Sequence, residues 1–408
     1  SNRDRLAEIA VREMGKPIVQ ARAEIEKCAW ACEHFANCGA EYLADREIES
    51  NAKRSLVAFR PLGVIFAIMP WNFPFWQVFR AAAPTLMAGN AMVLKHADST
   101  TRCALEIQRM FDEAGAPQGL FRTLLINHDD ADARIADARI AGVTLTGSER
   151  AGVAVAAAAG NALKKTVLEL GGSDPFIVLL DADLDAAVEY AVKARFQNNG
   201  QSCIAAKRFI IEEPVYDRFV RRFGEATAAQ RVGDPMNEQT QVGPCARADL
   251  RDSLERQVTQ TVVDGGRIIT GGHPMNGAGF FFQPTVVADV QPTAAMFREE
   301  TFGPAAAVIR ARDEEHALQL ANDSTFGLGA NLWTRNIDHA RKLAALIESG
   351  MVYINGMVAS DPRLPFGGVK HSGYGRELSA FGIHEFVNIQ SVWIGPEQNS
   401  GEERAPAE

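Results

Sequence analysis

Between Arg5 and about Glu41, apolar residues recur at helical spacing: Leu6, Ile9, Ala10 and Met14 form one stripe, and Ile25, Cys28, Ala29 and Cys32 a later one. The spacing predicts helix throughout this stretch. The segment 45–61 then alternates polar and apolar residues, as a protruding hairpin would. Beyond it, short apolar runs alternate with amphipathic stretches. "LGVIFAIM" precedes a helix-like stretch from about Trp76 to Ala88, "AMVLKH" precedes "STTRCALEIQRMFDEAG", "FRTLLI" precedes "DDADARIAD", and "AGVTLT" precedes "SERAGVAVAAAA". Buried strands separated by helices imply a parallel sheet covered on both faces.

The strand "KKTVLEL" ends at Gly171-Gly172, and a second series begins there. "PFIVLL" leads into "DLDAAVEYAVKARF", where Asp183 and Asp185 favour a helix start. "KRFIIEE" leads into "PVYDRFVRRFGEAT", where Pro214 suits a first helical turn. "NIQSVWI" reads as a last strand, and the polar stretch 399–408 as a disordered tail. The fold class expected is α/β: two lobes with parallel-sheet cores and a projecting β element.

Composition narrows the function classes. The 408 residues are 47% hydrophobic and 23% charged, with a formal net charge of −9. A nucleic-acid or anionic-membrane surface is therefore not expected. No apolar run approaches the roughly 20 residues of a membrane helix, and the start is charged and helix-patterned rather than a secretory leader. Six cysteines in this length suggest reduced thiols and a cytoplasmic location. Cys28, Cys32, His34 and Cys38 cluster locally, but no second ligand pair follows downstream, so no metal site is expected.

Four places could carry chemistry. Cys203 follows "NNGQS", and is either a core thiol or a nucleophile at the mouth of a site. Glu169, flanked by Leu168 and Leu170, is either a strand-end carboxylate reaching solvent or a desolvated general base. Asn72, in "IMPWNFPFWQVFR", is either a turn residue in an aromatic corner or an amide aimed at an oxyanion. Gly147-Ser148, where a strand turns into a helix, either caps that helix or cradles a phosphate. The turn is not the G-x-G-x-x-G dinucleotide fingerprint.

Taken together, "PWNFP" (70–74), "TGSERAG" (146–152), "LELGG" (168–172), "NNGQSC" (198–203), "EETFGP" (299–304) and "PFGGVKHSGYGREL" (365–378) resemble the NAD(P)-dependent aldehyde dehydrogenase superfamily in order and spacing. The interval of 34 residues from Glu169 to Cys203 is similar too. The resemblance covers nearly the whole chain except the tail, and implies a start short of the family's usual length, with part of the cofactor lobe missing. It implies a dinucleotide-binding domain over 1–44 and 61–171, an oligomerisation element over 45–60 and 387–398, and a catalytic domain over 172–382.

The roles it implies are these. Cys203 attacks the aldehyde as a thiolate that neighbouring N–H groups favour, Asn72 and the Cys203 N–H hold the oxyanion, and Glu169 activates the water that hydrolyses the thioester. Gly147 and Ser148 face the cofactor pyrophosphate, Glu300 the nicotinamide ribose with Phe302 beside it, and Lys95 the adenosine ribose. Trp71 lines that cleft, and Thr146, Gly152 and Leu170 complete the set. Asp98 stands where the family often has Glu; a carboxylate there repels a 2′-phosphate, favouring NAD, with NADP the alternative. The implied partners are a small aldehyde and further copies of the chain, as dimer or tetramer.

"LKHA", "AAKRFIIEE" and "IHEFVNIQSVWI" look most like bacterial succinate-semialdehyde dehydrogenases. Arg80, eight residues after Asn72, stands where those enzymes have an arginine for the substrate's distal carboxylate; otherwise it is an ordinary helix-surface residue. Arg363 is a second candidate contact. Gln197 replaces a second arginine of some relatives, which keeps another small aliphatic or aromatic aldehyde, or a non-catalytic fold relative, as alternatives.

Overall fold

A computed structural model describes residues 2–395, so the tail 399–408 and the end of the segment 387–398 lie outside the described residues. The first lobe is built on a six-stranded sheet in the order Gly373–Tyr374, Lys165–Glu169, Ile140–Thr146, Val64–Met69, Ala91–His96, Phe121–Thr123. All its pairings are parallel except that of Gly373–Tyr374, which lies antiparallel against Lys165–Glu169. A short segment from late in the chain thus closes the sheet edge beside Glu169. The second lobe has seven strands in the order Arg267–Thr270, Thr285–Ala288, Ala305–Ala311, Ala206–Glu212, Asp174–Val178, Gly329–Trp333, Met351–Ile354, parallel beyond the first pair. Val, Ile and Phe dominate the central strands of both sheets because helices bury both faces.

A third sheet projects. Arg46–Glu47 pairs antiparallel with Arg54–Pro61, as the alternating pattern of 45–61 predicts, and Arg54–Pro61 pairs antiparallel with Val387–Ile394 along its length. Ile389 and Trp393 on the outer strand are 61% and 57% exposed.

The N-terminal stretch differs from the single helix expected. It is two helices, Arg3–Met14 and Ile18–Tyr42. Gly15 takes a left-handed conformation (φ 80°), its N–H donating to Val11 O, and Pro17 cannot continue the helix. The break lets Lys16 turn inward, where it forms a fully buried ion pair with Glu24. Among the described residues, no helix is long and apolar enough to cross a membrane.

Candidate active site

The strand ends and loops of the two lobes converge on Cys203. The helix Leu184–Phe196 ends in a turn of Gln197–Gly200 in which Asn198 and Asn199 have φ of 54° and 58°. Asn tolerates this left-handed backbone better than most residues, and both side chains are put to use. Asn198 Nδ2 donates to Asn72 O (2.8 Å) and Gln201 O (2.9 Å), while Asn199 Nδ2 donates to Gly15 O and Pro244 O. Gly200 (φ 71°) is required, since a Cβ there would stand 2.3 Å from Gly303 O.

Beneath the loop lie two buried cations. Arg195 donates to Gly200 O (2.6 Å), Ala206 O (2.9 Å) and Gly303 O (2.8 Å), tying the cysteine loop to the loop bearing Glu300. Lys207 Nζ donates to the carbonyls of Ser202 (3.0 Å) and Cys203 (2.8 Å), and lies 3.6 Å from Glu300.

Cys203 lines two cavities at once. One, of about 230 Å³, is bounded by Phe73, Trp76, Phe366, Val358, Glu24, Lys27 and Arg80, with Gln197 on its wall. The other, of about 420 Å³, is bounded by Trp71, Asn72, Thr146, Gly147, Ser148, Leu170, Glu300 and Phe302, and also by His128 and Arg247. Gln77 lines both, with a buried Oε1 that has no partner among the described residues. The sulfur therefore stands where the two spaces meet.

Its charge state differs from expectation. Burial pushes the Cys203 thiol up to about 12, against a partial downward pull from Arg80 and Lys207. Desolvation outweighs the neighbouring cations, so the thiol keeps its proton at neutral pH in this state.

Glu169 ends the strand Lys165–Glu169, 1% exposed, with both carboxylate oxygens unpartnered among the described residues. Burial raises it well above the ordinary carboxylate range, and Glu377 adds to the rise while Arg80 opposes it. Asn72 is buried in the turn before the helix Trp76–Met87. Its Nδ2 donates to Gln201 O (3.1 Å), which leaves the second N–H of that amide without a protein acceptor among the described residues. Glu24 fixes the turn by accepting from the N–H groups of both Phe75 and Trp76 at 2.9 Å.

Arg80 is not a helix-surface residue. It is 1% exposed, forms an ion pair with Glu377, donates to Thr146 Oγ1 (3.2 Å) and stacks over Phe366. Arg363 is not brought to the cavity; it is exposed and pairs with Asp361 at 2.6 Å. Neighbouring residues on a tight turn satisfy each other before either can reach inward.

The larger cavity fits a dinucleotide. The helix Glu149–Asn161 begins there, and Ser148 Oγ accepts from Ala151 N (3.3 Å), leaving the N–H groups of Glu149 and Arg150 without helical acceptors. Glu300 accepts from Gly172 N (3.0 Å), and Trp71 meets Phe302 edge-on at 5.8 Å. Gly152 does not line the cavity; a Cβ there would meet Leu170 at 2.5 Å, so it sets how closely strand end and helix pack.

Asp98 lines a separate hollow with His96, Thr101 and Asn127. Lys95 is buried below, 3.7 Å from Asp98. The Asp98 side chain is 71% exposed, so water and Lys95 blunt its repulsion of a phosphate.

Sequence reasoning did not single out Lys27, Gln77, Arg195, Lys207, Arg247 or Glu377. The one available signal was a basic residue at 27, three past Glu24 on the same helix face.

The aldehyde dehydrogenase family model matches residues 1–392. The succinate semialdehyde dehydrogenase [NAD(P)+] Sad of Escherichia coli (strain K12) is 54% identical over 390 residues, covering 96% of this chain and 84% of that protein. The succinate-semialdehyde dehydrogenase [NADP(+)] of Mycobacterium avium (strain 104) is 48% identical over 395 residues, with 96% and 84% covered. The crystal structure of succinic semialdehyde dehydrogenase from Streptococcus pyogenes in complex with NADP+ superposes with a TM-score of 0.95 at 39% identity, covering 97% of this chain and 87% of that one. With the family model spanning nearly all of it and these relatives so similar, the chain belongs to the aldehyde dehydrogenase family.

Proposed function

We propose that this chain oxidises succinate semialdehyde to succinate with NAD(P)+ through a thioester on Cys203. One observation carries the reading: Cys203 lines both an aldehyde-sized cavity with cationic walls and a larger one at a helix N-terminus. In this reading the carbonyl carbon lies at Sγ, and the thiol proton passes to water in the cavity as the S–C bond forms. The free N–H of Asn72 Nδ2 and the N–H of Cys203 hold the resulting oxyanion; losing one such donor costs about 10²–10³ in rate.

The dinucleotide, held by Ser148, Gly147, Glu300, Phe302 and Trp71 with Lys95 and Asp98 at its adenosine end, supplies the acceptor for the hydrogen and electron pair that leave that carbon. Glu169 then takes a proton from water as its oxygen attacks the thioester; the C–S bond breaks and succinate departs. Burial raises its pKa, which makes its carboxylate a stronger base once the proton is off. The first lobe serves the dinucleotide, the second carries the nucleophile, and the projecting sheet joins copies into a dimer or tetramer in the cytoplasm.

A second reading, another small aldehyde, draws on Gln197 in the cavity wall and on Arg80 being already paired with Glu377. Initial rates of NADH and NADPH formation with succinate semialdehyde, butanal and benzaldehyde test the choice. A kcat/KM for butanal equal to that for succinate semialdehyde overturns the first reading. No burst of reduced cofactor in the wild type, or an unchanged burst in Cys203→Ser, overturns the thioester.

A further inference from the structure

The smaller cavity is lined by three formally charged side chains, and two are neutralised within the protein. Glu24 pairs with buried Lys16 and accepts two backbone N–H groups. Arg80 pairs with Glu377. Lys27 has no carboxylate within ion-pair distance among the described residues. Its Nζ donates to Ser360 Oγ (2.7 Å) and stands 4.7 Å from the centre of the Trp76 ring, which occupies two of its three donor directions.

A second candidate counter-ion, Asp361, is taken by Arg363. Gln20, Ala23, Glu24 and Lys27 fall at helical spacing on one face of Ile18–Tyr42, so Lys27 stands one turn along the cavity wall from the Lys16–Glu24 pair.

We infer that Lys27 is the specificity-determining cation of this cavity, its Nζ pairing with the distal carboxylate of an aldehyde whose carbonyl lies at Cys203. The inference rests on the reading of the substrate as a carboxylated aldehyde. A partly desolvated ammonium without a counter-ion is costly, and an entering carboxylate makes a charge-assisted hydrogen bond to its remaining donor. The apolar walls Phe73, Trp76 and Phe366 hold the carbon chain between. Arg80 adds positive potential, but its charge is balanced by Glu377. Arg363 acts at a distance, by keeping Asp361 from neutralising Lys27.

The test compares kcat/KM for succinate semialdehyde and for butanal, an uncharged aldehyde of the same length, in wild type, Lys27→Met and Lys27→Arg. In Lys27→Met the selectivity ratio falls about 30-fold or more, the usual consequence of truncating one member of a desolvated pair, and the loss appears in KM for succinate semialdehyde. Lys27→Arg restores most of it.

A pH series on the wild type gives an independent reading. Lys27 is lowered to about 8, first by burial and then by Arg80, with Glu24 and Cys28 of its own helix and Asp361 opposing. KM for succinate semialdehyde therefore rises as pH passes about 8 while KM for butanal does not, and Lys27→Arg abolishes the limb.

A folded Lys27→Met that keeps the wild-type ratio within threefold overturns the inference and leaves the substrate reading standing. A wild-type ratio near one overturns both. If Lys27→Met does not fold, a KM for succinate semialdehyde flat between pH 7 and 9.5 in the wild type overturns the inference by itself.

Discussion

Two residues at the site have their chemistry set by burial rather than by their type. Cys203 and Glu169 are both shifted upward, so each needs a higher pH to reach its reactive, deprotonated form. The expected outcome is a kcat/KM for butanal that climbs through the neutral and into the alkaline range, measurable as initial rates between pH 6 and 10; with succinate semialdehyde the loss of the Lys27 charge opposes the climb above about pH 8.

Lys207 pulls the Cys203 thiol down from beneath. Lys207→Met removes that pull, so the profile moves to higher pH and the rate at pH 7.5 falls. Glu169→Gln has a different signature: the burst of reduced cofactor survives while steady turnover drops by roughly 10²–10⁴, the range of general-base contributions. Arg80 is the poorer choice for probing substrate recognition, because its removal strands Glu377 and deprives Glu169 of a counter-charge. Breaking a buried pair in this way costs about 3–5 kcal/mol, and a lost activity could not be told from a lost fold.

The loops that carry these residues are held by single buried side chains. Arg195→Met removes the guanidinium donors from the carbonyls of Gly200, Ala206 and Gly303, of which Gly303 O keeps the Ala305 N–H. A loss of about 3 kcal/mol is expected, read as a lower urea midpoint, together with weaker cofactor binding because the Glu300 loop loses its tie.

His96 closes the strand Ala91–His96 and is buried. Its Nδ1 accepts from Ala97 N (2.8 Å), so the ring is neutral and its Nε2–H donates to Pro74 O (2.8 Å). Burial lowers it to about 4 from 6.5. Its contribution is present above pH 6.5 and is lost as pH falls toward 4, because the folded state must bind a proton that the unfolded chain binds readily. About 3 kcal/mol of stability disappears across that window. His96→Gln should flatten this part of the curve of urea midpoint against pH.

The projecting sheet has consequences for the assembled molecule. An edge strand with Ile389, Trp393 and Ile394 turned to solvent is an unfavourable surface for a lone copy. The double variant Ile389→Lys, Trp393→Glu is expected to lower the mass in light scattering from that of an oligomer to that of one chain. A wild type that runs as a single chain would refute the role given to this sheet. The two lobes meet at the nucleophile, with Glu169 and Asn72 carried by the first and Cys203 by the second. Changes that loosen the lobe contact should therefore lower kcat for all aldehydes alike.

Strand and helix alternation was readable along most of the chain, since covered parallel strands are continuous apolar runs and their helices carry local periodicity. Motif residues were readable too, because a nucleophile, an amide donor and a glycine turn each demand a particular side chain at a particular place. Pairings between distant segments were not.

Nothing local marks Glu377 as the partner of Arg80, or shows that the Lys16–Glu24 pair would be buried. Charge neutralisation depends on which side chains folding brings within a few ångströms. For the same reason the upward shift of the Cys203 thiol by burial was not readable from its neighbours in the chain. Chain order fixes which groups are present, whereas the packed molecule sets which of them are paired, and so leaves Lys27, among the described residues, without a carboxylate partner at the smaller cavity.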